Sequence, residues 1–186
     1  MKRIFDLIIG IILLFIFLIP LLIISILIKI NSSGPIFYIS RRVGKNAQIF
    51  NMIKFRTMNI DTPQMHSNDL QNPNYYITSI GKILRKFSLD ELPQIMHVIS
   101  GKMSLVGPRP SLENQYLLIE KRNSLGILKI KPGLTGLAQI NGRDEITLDE
   151  KVEFDYEYTK KQSMLLDLKI LFKTISVVSK TKGLKH

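Results

Sequence analysis

The first thirty residues differ from the rest of the chain in their pattern of apolar and polar positions. Residues Leu7–Ile28 carry no charge, and a helix of this length, rising 1.5 Å per residue, is long enough to cross the hydrocarbon core of a bilayer. A signal peptide has a shorter apolar region that ends in a small-residue cleavage site, whereas this run is longer and continues as KINSSGPIF. We therefore predict a membrane-embedded helix over residues 1–30 and one further domain over residues 31–186.

Pro20 lies inside this apolar run and predicts a kink in the helix. Proline lacks the amide hydrogen that would bond the carbonyl of Ile16, and its ring clashes with that carbonyl. Positive residues flank the run on both sides, Lys2 and Arg3 before it and Lys29 after it, so charge does not select the inner end. Two arrangements fit these residues equally: a straight helix that spans the bilayer, and a bent helix that enters and leaves on one face.

Beyond residue 31, short apolar-rich runs alternate with polar turns. Two such runs separated by VGKN predict a hairpin, and the later segments have helical character. The predicted strands are 36–41 and 47–54, the predicted helices are 80–86, 93–100, 111–121, 148–161 and 164–178, and loops are predicted at 59–74 and over VGPRPS and KPGLTGLAQINGR. The last helix fits either a core or a membrane surface. The prediction is a mostly helical α+β fold.

Composition narrows the classes of partner and site. The net charge of +11 predicts an anionic partner, which nucleic acid, an acidic lipid surface or a phosphorylated substrate would satisfy. The absence of cysteine excludes disulfides and thiolate metal sites. The chain has no G-x-x-x-x-G-K-[ST] phosphate loop, and His66 and His97 lack metal-ligand spacing.

Two adjacent carboxylates, Asp90 and Glu91, stand in the stretch FSLDELPQ. Ser88 and Glu91 match a capping box, which would make this stretch a helix start. Pro93 disfavours that reading because it would fall at the fifth helical position and clash with the carbonyl of Leu89. Proline is better placed as the first helical residue, and both acids then lie just before the helix.

Basic residues recur in the sequence blocks around this acid pair. They are Lys82, Arg85 and Lys86 before it, Lys54 and Arg56 in IKFRTM, and Arg109 between the two prolines of GPRP. A carboxylate among fixed cations stays ionised and can act as a nucleophile. Arginine and lysine bind phosphate, and carboxylates beside a diphosphate suit Mg²⁺. The grouping indicates phosphate chemistry, although any one basic residue alone fits a solvated surface charge.

Five blocks follow the apolar segment in order: KFRTM, RKFSLDELPQ, SLVGPRP, KPGLTGLAQINGR and LDLKILFKT. Together they resemble the bacterial sugar transferases that start glycan assembly on a polyprenyl phosphate. The short chain looks like the small monotopic phosphoglycosyl transferases of that group. The resemblance covers nearly the whole chain.

The resemblance implies a reaction and its residues. A phospho-sugar passes from a nucleotide diphosphate sugar, usually a UDP-sugar, to undecaprenyl phosphate, and UMP is released. Mg²⁺ is the implied cofactor, with Asp90 and Glu91 as its ligands. Asp90 is the implied nucleophile that forms a phosphosugar-aspartate, and Glu91 orients Asp90 or the metal or handles the acceptor's proton. The implied phosphate and substrate contacts are Lys54, Arg56, Arg85, Arg109 and Arg143.

The resemblance also implies how the chain meets the membrane. The family's N-terminal helix is re-entrant: it breaks at a Ser-Pro pair and returns to the cytosolic face. Here Ile19 precedes Pro20, so the hydroxyl that can satisfy the backbone carbonyls freed by the break is missing. Ser25 lies a turn or more away. The expected location is the bacterial inner membrane, with the catalytic domain on the cytoplasmic face.

Two other classes of function fit part of the sequence. A membrane-tethered protein that binds nucleic acid or anionic lipid would explain the charge, and an inactive scaffold would explain the resemblance. The intact acid pair and the proline-framed Arg109 favour an enzyme, so nucleic acid is not an expected partner, whereas downstream glycosyltransferases are. Within the enzyme class, Asp90 and Glu91 acting only as metal ligands, with direct attack by the lipid phosphate, is the mechanistic alternative.

Overall fold

The computed structural model describes residues 1–62, 73–142 and 146–179. The helices are α1 (Lys2–Asn31), α2 (Pro73–Tyr76), α3 (Ser79–Lys86), α4 (Ile95–Ser100), α5 (Tyr116–Ser124), α6 (Leu137–Ile140), α7 (Leu148–Lys161) and α8 (Met164–Ser179). The strands are β1 (Phe37–Val43), β2 (Ile49–Phe55), β3 (Ser104–Val106) and β4 (Gly133–Thr135). Short 3₁₀ turns cover Lys45–Ala47, Leu89–Gln94 and Ile127–Lys129. The prediction of a mostly helical α+β fold is confirmed.

Helix α1 runs from Lys2 to Asn31 with Pro20 in its interior. It is long and apolar enough to cross a membrane by length and composition. The hydroxyl of Ser25 donates to the carbonyl of Leu21 at 2.7 Å, so it does not serve the carbonyl of Ile16 that Pro20 leaves without an amide donor. The re-entrant course of this helix stays a prediction.

One face of α1 packs against the rest of the chain near both ends of the helix. Asp6, Gly10, Ile24 and Ile28 are buried at spacings that follow one side of a helix. The opposite side exposes large apolar residues, among them Ile8, Ile12, Phe15, Ile19, Leu22, Ile26 and Ile30. Because both ends of α1 pack on the same body, the helix lies alongside the domain and does not project away from it.

The predicted hairpin is confirmed. Strands β1 and β2 are antiparallel, with Val43 opposite Ile49 and Phe37 opposite Phe55. Directly opposed residues of such a pair lie on the same face, and the face alternates with period two. Arg42 on β1 and Lys54 on β2 therefore share one face of the hairpin.

Three apolar clusters hold the elements together. The largest joins β2, α4, β3, α6, α7 and α8 with the N-terminal half of α1, through Met52, Val98, Met103, Leu105, Val106, Ile140, Tyr158 and Ile170. The second joins the C-terminal half of α1 to β2 and α3 through Ile24, Ile28, Phe55 and Leu84. The third lies between α5 and α7. The 3₁₀ turn at Leu89–Gln94 packs on the second cluster, which fixes the acid pair relative to β2.

The predicted loops VGPRPS and KPGLTGLAQINGR are wrong in part, because the first begins with the last residue of β3 and the second contains β4 and helix α6. Ser104 on β3 pairs with Gly133 on β4, and Val106 pairs with Thr135. A Cβ at Gly133 would lie 2.1 Å from the amide nitrogen of Gly107, so the backbones meet where only glycine fits. Tertiary contact creates these strands, and no local alternation marks them.

Helix boundaries differ from the predictions chiefly in α4 and α5. Helix α5 begins at Tyr116 and not at residue 111, because the segment before it bridges to the hairpin at Arg42. Helix α4 begins at Ile95 and not at Pro93, because a 3₁₀ turn precedes it. Helix α7 has the predicted bounds. Most of the loop predicted at 59–74 lies outside the described residues.

Candidate active site

The acid pair lies in the 3₁₀ turn between α3 and α4. Ser88 enters this turn with a left-handed φ of 54°, and the amide of Glu91 donates to the carbonyl of Ser88 at 3.2 Å. The capping-box alternative is wrong, because the Ser88 side chain makes no capping bond. Pro93 is buried inside the turn, and regular α-helix starts only after it. Asp90 and Glu91 thus precede a helix, as Pro93 indicates.

Glu91 is held by two cations from distant parts of the chain. Arg109 contacts it with both terminal nitrogens of the guanidinium group: Nη1 lies 3.1 Å from Oε2, and Nη2 contacts Oε1. Lys54 Nζ lies 2.8 Å from the same Oε1. The Glu91 side chain is 19% exposed. The cations come from β2 and from the loop after β3, so the fold assembles this site from three sequence blocks.

The two carboxylates differ in their ionisation. Burial acts to raise the pKa of Glu91, but Arg109 and Lys54 outweigh it and hold that pKa well below its ordinary range. Burial, followed by the adjacent charge of Glu91, raises the pKa of Asp90 to about 6, against the opposing effects of Lys54, Arg109 and Arg85. Glu91 is therefore a fixed, neutralised anion, while Asp90 is a carboxylate of raised basicity next to it.

Arg85 brings a further cation to Asp90. Its Nε donates to the hydroxyl of Thr57 at 2.9 Å. Burial lowers the pKa of Arg85, and the charge of Asp90 opposes that shift. The guanidinium is thus held by Thr57 within electrostatic range of Asp90.

Arg56 is placed away from this group. Its guanidinium binds the C-terminal end of α1, where Nη2 lies 3.0 Å from both the carbonyl and the hydroxyl oxygen of Ser32 and Nη1 contacts the carbonyl of Ser33. Arg56 is buried, so it serves as an anchor between β2 and α1. A phosphate contact by Arg56 stays a prediction without geometric support. Arg143 lies outside the described residues.

Arg42 is a member of the site that sequence reasoning missed. Its Nη1 donates to the carbonyl of Pro110 at 3.3 Å and its Nε to Ser40 Oγ at 3.2 Å. Burial and the charge of Arg109 lower the pKa of Arg42 to about 10, while Glu91 acts in the opposite direction. The register of the predicted hairpin could have identified Arg42, because period-two alternation from Lys54 across the turn places Arg42 on the same face.

The residues present fit a divalent cation that is held mainly by a substrate. No cluster of three or more His, Asp or Glu side chains occurs in the described ranges, so the protein offers the two carboxylates of the acid pair. Both oxygens of Glu91 already accept from Arg109, and Lys54 shares one of them. Asp90 is the more available oxygen ligand, and a cation would relieve its repulsion from Glu91. Mg²⁺ commonly binds through one or two carboxylates plus phosphate oxygens.

This arrangement suits attack on a phosphorus atom. A half-buried carboxylate with a raised pKa is a better nucleophile than an ordinary one and is ionised at neutral pH. Lys54, Arg109, Arg85 and Arg42 supply positive charge where a diphosphate would bring negative charge. Separate environments for two adjacent carboxylates are typical of sites that give each a different task.

Comparison with known proteins adds independent findings. A profile of the family described as bacterial sugar transferase matches residues 1–181. The chain is 41% identical to the exopolysaccharide production protein ExoY of Sinorhizobium fredii, over 98% of this chain and 87% of ExoY. It is 39% identical to an undecaprenyl-phosphate glucose phosphotransferase of Komagataeibacter xylinus, over 94% of this chain and 35% of that protein. It is 36% identical to a UDP-galactose-lipid carrier transferase of Erwinia amylovora, over 98% of this chain and 41% of that protein.

Proposed function

Because the chain belongs to the bacterial sugar transferase family, we propose that it transfers a phospho-sugar from a nucleotide diphosphate sugar to undecaprenyl phosphate. The names of two relatives, an undecaprenyl-phosphate glucose phosphotransferase and a UDP-galactose-lipid carrier transferase, support this acceptor and a UDP-sugar donor. The product would begin the assembly of a bacterial glycan. The nucleoside monophosphate, UMP for a UDP-sugar, is the leaving group.

The proposal rests on the different environments of the two carboxylates in the acid pair. Glu91 is neutralised by Arg109 and Lys54, while Asp90 beside it keeps a pKa of about 6. At neutral pH Asp90 is therefore ionised and is not itself held by the fork of Arg109. These are the properties that a nucleophile needs in a site that also binds phosphate.

The mechanism has two displacements at one phosphorus. A carboxylate oxygen of Asp90 attacks the phosphorus that bears the sugar, a P–O bond forms to Asp90, and the P–O bond to the nucleoside monophosphate breaks. An oxygen of the lipid phosphate then attacks the same phosphorus, and the bond to Asp90 breaks. Asp90 is restored as a carboxylate, so atoms and charge balance over the cycle.

The basic residues offset the repulsion between anions in both steps. Lys54, Arg85 and Arg109 provide fixed positive charge beside Asp90, which stabilises the charge on the phosphoryl oxygens. Glu91 holds Arg109 and Lys54 in place through its two oxygens. Asp90 and Glu91 would hold Mg²⁺, which would supply further charge neutralisation of the leaving group.

The location that fits this function is the cytoplasmic face of the bacterial inner membrane. The acceptor is a lipid and the donor is soluble, so the site must face water while the protein stays at the bilayer. Helix α1 exposes its apolar side over its full length and packs its other side on the domain. Helix α8 exposes Leu165, Leu168, Phe172 and Ile175 on one side. These surfaces support a monotopic arrangement, in which α1 enters the bilayer from one face.

The test uses purified protein in lipid with undecaprenyl phosphate, Mg²⁺ and a panel of nucleotide diphosphate sugars. We expect lipid-dependent release of nucleoside monophosphate from one donor. Without the lipid acceptor, we expect a stoichiometric burst and a mass increase of one phospho-sugar on the peptide that contains Asp90. Asp90→Asn should abolish both signals, whereas Asp149→Asn, at an exposed carboxylate on α7, should leave them unchanged.

The same assay separates the alternatives. Turnover without a covalent adduct, with kinetics that require both substrates bound together, would replace the covalent mechanism by direct attack. No turnover with any donor, from protein that is folded and in lipid, would reject the transferase and favour a binding or scaffold role.

A further inference from the structure

The segment Gly107–Pro110, which carries Arg109, is fixed through its carbonyl groups. Pro108 and Pro110 have no amide hydrogen to donate. Instead, the Pro108 carbonyl accepts from the amide of Gly133 at 2.9 Å, and the Pro110 carbonyl accepts from Arg42. The carbonyl of Arg109 between them accepts from Nη1 of Arg122 at 2.8 Å. Three consecutive carbonyls thus have three donors from three different elements.

Arg122, on α5, reaches this carbonyl from inside the protein. Its side chain is 2% exposed, and that of its partner Asp155 on α7 is 1% exposed. Arg122 Nε lies 3.0 Å from Asp155 Oδ2, and Nη2 lies 2.5 Å from the same oxygen. The two nitrogens that face Asp155 leave Nη1 directed at the Arg109 backbone.

A buried ion pair of this kind is weak evidence for stability. Removing two charges from water is costly, and apolar residues of similar volume in place of such a pair are often neutral or stabilising. Its geometry suggests a different role. The planar fork of arginine binds two partners in fixed directions, and here one partner is the backbone of the residue that grips Glu91.

We propose that the Arg122–Asp155 pair is a positioning device for Arg109. Asp155 orients the guanidinium of Arg122, Arg122 fixes the carbonyl of Arg109, and the Arg109 side chain is thereby held in register with Glu91. Neither Arg122 nor Asp155 touches the acid pair. Their effect on transfer rests on the proposed function of that site, but their effect on the position of the 107–110 segment does not.

The chain contains a matched control for this pair. Lys121 and Asp149 also join α5 to α7, but their side chains are 40% and 77% exposed, and no contact of theirs reaches the Arg109 backbone in the described part of the chain. Lys121→Ala removes a link between the same two helices without removing a donor to Arg109. Exposed pairs of this type add little to stability.

The main variant is the double substitution Arg122→Met with Asp155→Leu, which removes the charges together and keeps the volume. We expect it to fold with a melting temperature close to that of the wild type. We expect kcat/KM for the nucleotide sugar to fall by about 10- to 100-fold, since small misplacement of a substrate-orienting group has effects of this size. Lys121→Ala should leave kcat/KM unchanged.

A double-mutant cycle with Arg109→Ala tests whether the pair acts through Arg109. In the Arg109→Ala background, the added Arg122→Met/Asp155→Leu change should lower kcat/KM by less than about two-fold. An equal fold loss in both backgrounds, or wild-type activity of Arg122→Met/Asp155→Leu, would overturn the proposal. Arg122→Lys, which keeps the charge but not the fork, should reproduce the loss if the apolar pair does not fold.

Amide hydrogen exchange provides a readout that does not need activity. Exchange at the 104–112 segment should be faster in Arg122→Met/Asp155→Leu than in the wild type and in Lys121→Ala. Unchanged exchange would reject the positioning role even if activity falls. If the wild-type protein transfers no sugar, the proposed function fails, and this exchange measurement still decides the inference.

Discussion

The ionisation of each carboxylate in the acid pair depends on residues that are near it in space but distant in sequence. That Asp90 and Glu91 precede a helix could be predicted from Pro93, because a helix capped by Ser88 would place this proline at its fifth position, where it clashes with the carbonyl of Leu89. Their unequal ionisation could not, because it depends on Lys54 and Arg109, which are 37 and 18 residues away in sequence from Glu91. The local sequence does not reveal which of two adjacent carboxylates the cations contact.

The pKa of Asp90 predicts a pH dependence of the first chemical step. In the proposed mechanism only the carboxylate form of Asp90 attacks, so the burst rate of nucleoside monophosphate should rise about ten-fold per pH unit below pH 6 and level off above it. Lys54 acts to lower that pKa, so Lys54→Met should move the midpoint to higher pH. Lys82→Met, at an exposed lysine on α3, should not. A midpoint near 4 in the wild type would contradict the raised pKa.

Asp90 also predicts a conflict between activity and stability. Its pKa is about 6 in the folded state, above the ordinary value of 3.8, so the folded state binds the proton more tightly. Ionisation therefore lowers the free energy of unfolding as pH rises from about 4 to 6, and this loss persists at higher pH. Asp90→Asn should raise that free energy by about 1–2 kcal/mol at pH 7.5, a value reduced from the full shift for partial exposure.

The gain should disappear near pH 4, where Asp90 is protonated in the wild type. Thermal or denaturant unfolding of both proteins at pH 4 and 7.5 measures this. An equal difference at both values would mean that the effect of Asp90→Asn comes from packing and not from charge.

At the scale of elements, regular apolar periodicity predicted helices and strands. Strands that form through close backbone contact could not be predicted in this way. The hairpin and helices α3, α7 and α8 follow from alternation and helical spacing near the bounds predicted. Strands β3 and β4 lie in glycine- and proline-rich stretches that look like loops. They form because Gly107 and Gly133 allow two backbones to approach closely, a property that depends on both partners.

The docking of α1 gives a prediction at this scale. Asp6 is buried and accepts from the hydroxyl of Ser104 at 2.8 Å and from the amide of Leu105 at 3.2 Å. Asp6→Ala should cost about 1–3 kcal/mol, because it leaves buried donors on β3 without an acceptor. The free energy of unfolding and amide exchange at Leu105 measure the loss. Asp6→Asn keeps an acceptor oxygen, so its free energy of unfolding should fall less than that of Asp6→Ala. Equal losses in the two variants would mean that the effect comes from the loss of the negative charge.

For the whole molecule, composition predicted an anionic partner and a membrane helix but not how that helix sits. Positive residues lie on both sides of the run, so they favoured neither a span nor a re-entrant helix. The structure places Arg3 on the carbonyls of Val98 and Ile99, each at 2.6 Å, and Arg56 on Ser32 at the other end. Hydrogen bonds thus join both ends of α1 to the domain.

This placement predicts that both ends of α1 lie on one side of the bilayer. The chain has no cysteine, so single-cysteine variants are unambiguous reporters. A cysteine added before Met1, Asn31→Cys, and Asn123→Cys as the domain reference should all react with an impermeant maleimide from the cytoplasmic side only. Reaction of the first two from opposite sides would show a span and would contradict the monotopic arrangement.

The ion pair between Lys2 and Asp167, at 2.6 Å, also constrains the order of events during synthesis. The two residues are 165 positions apart, so this contact cannot form until Asp167 has been synthesised. Until then α1 lacks part of the surface that it packs on, and exposed apolar surface at that stage favours aggregation. Early delivery of the nascent helix to lipid would protect the chain, and docking of α8 onto Lys2 would attach the N-terminal end of α1 to the domain.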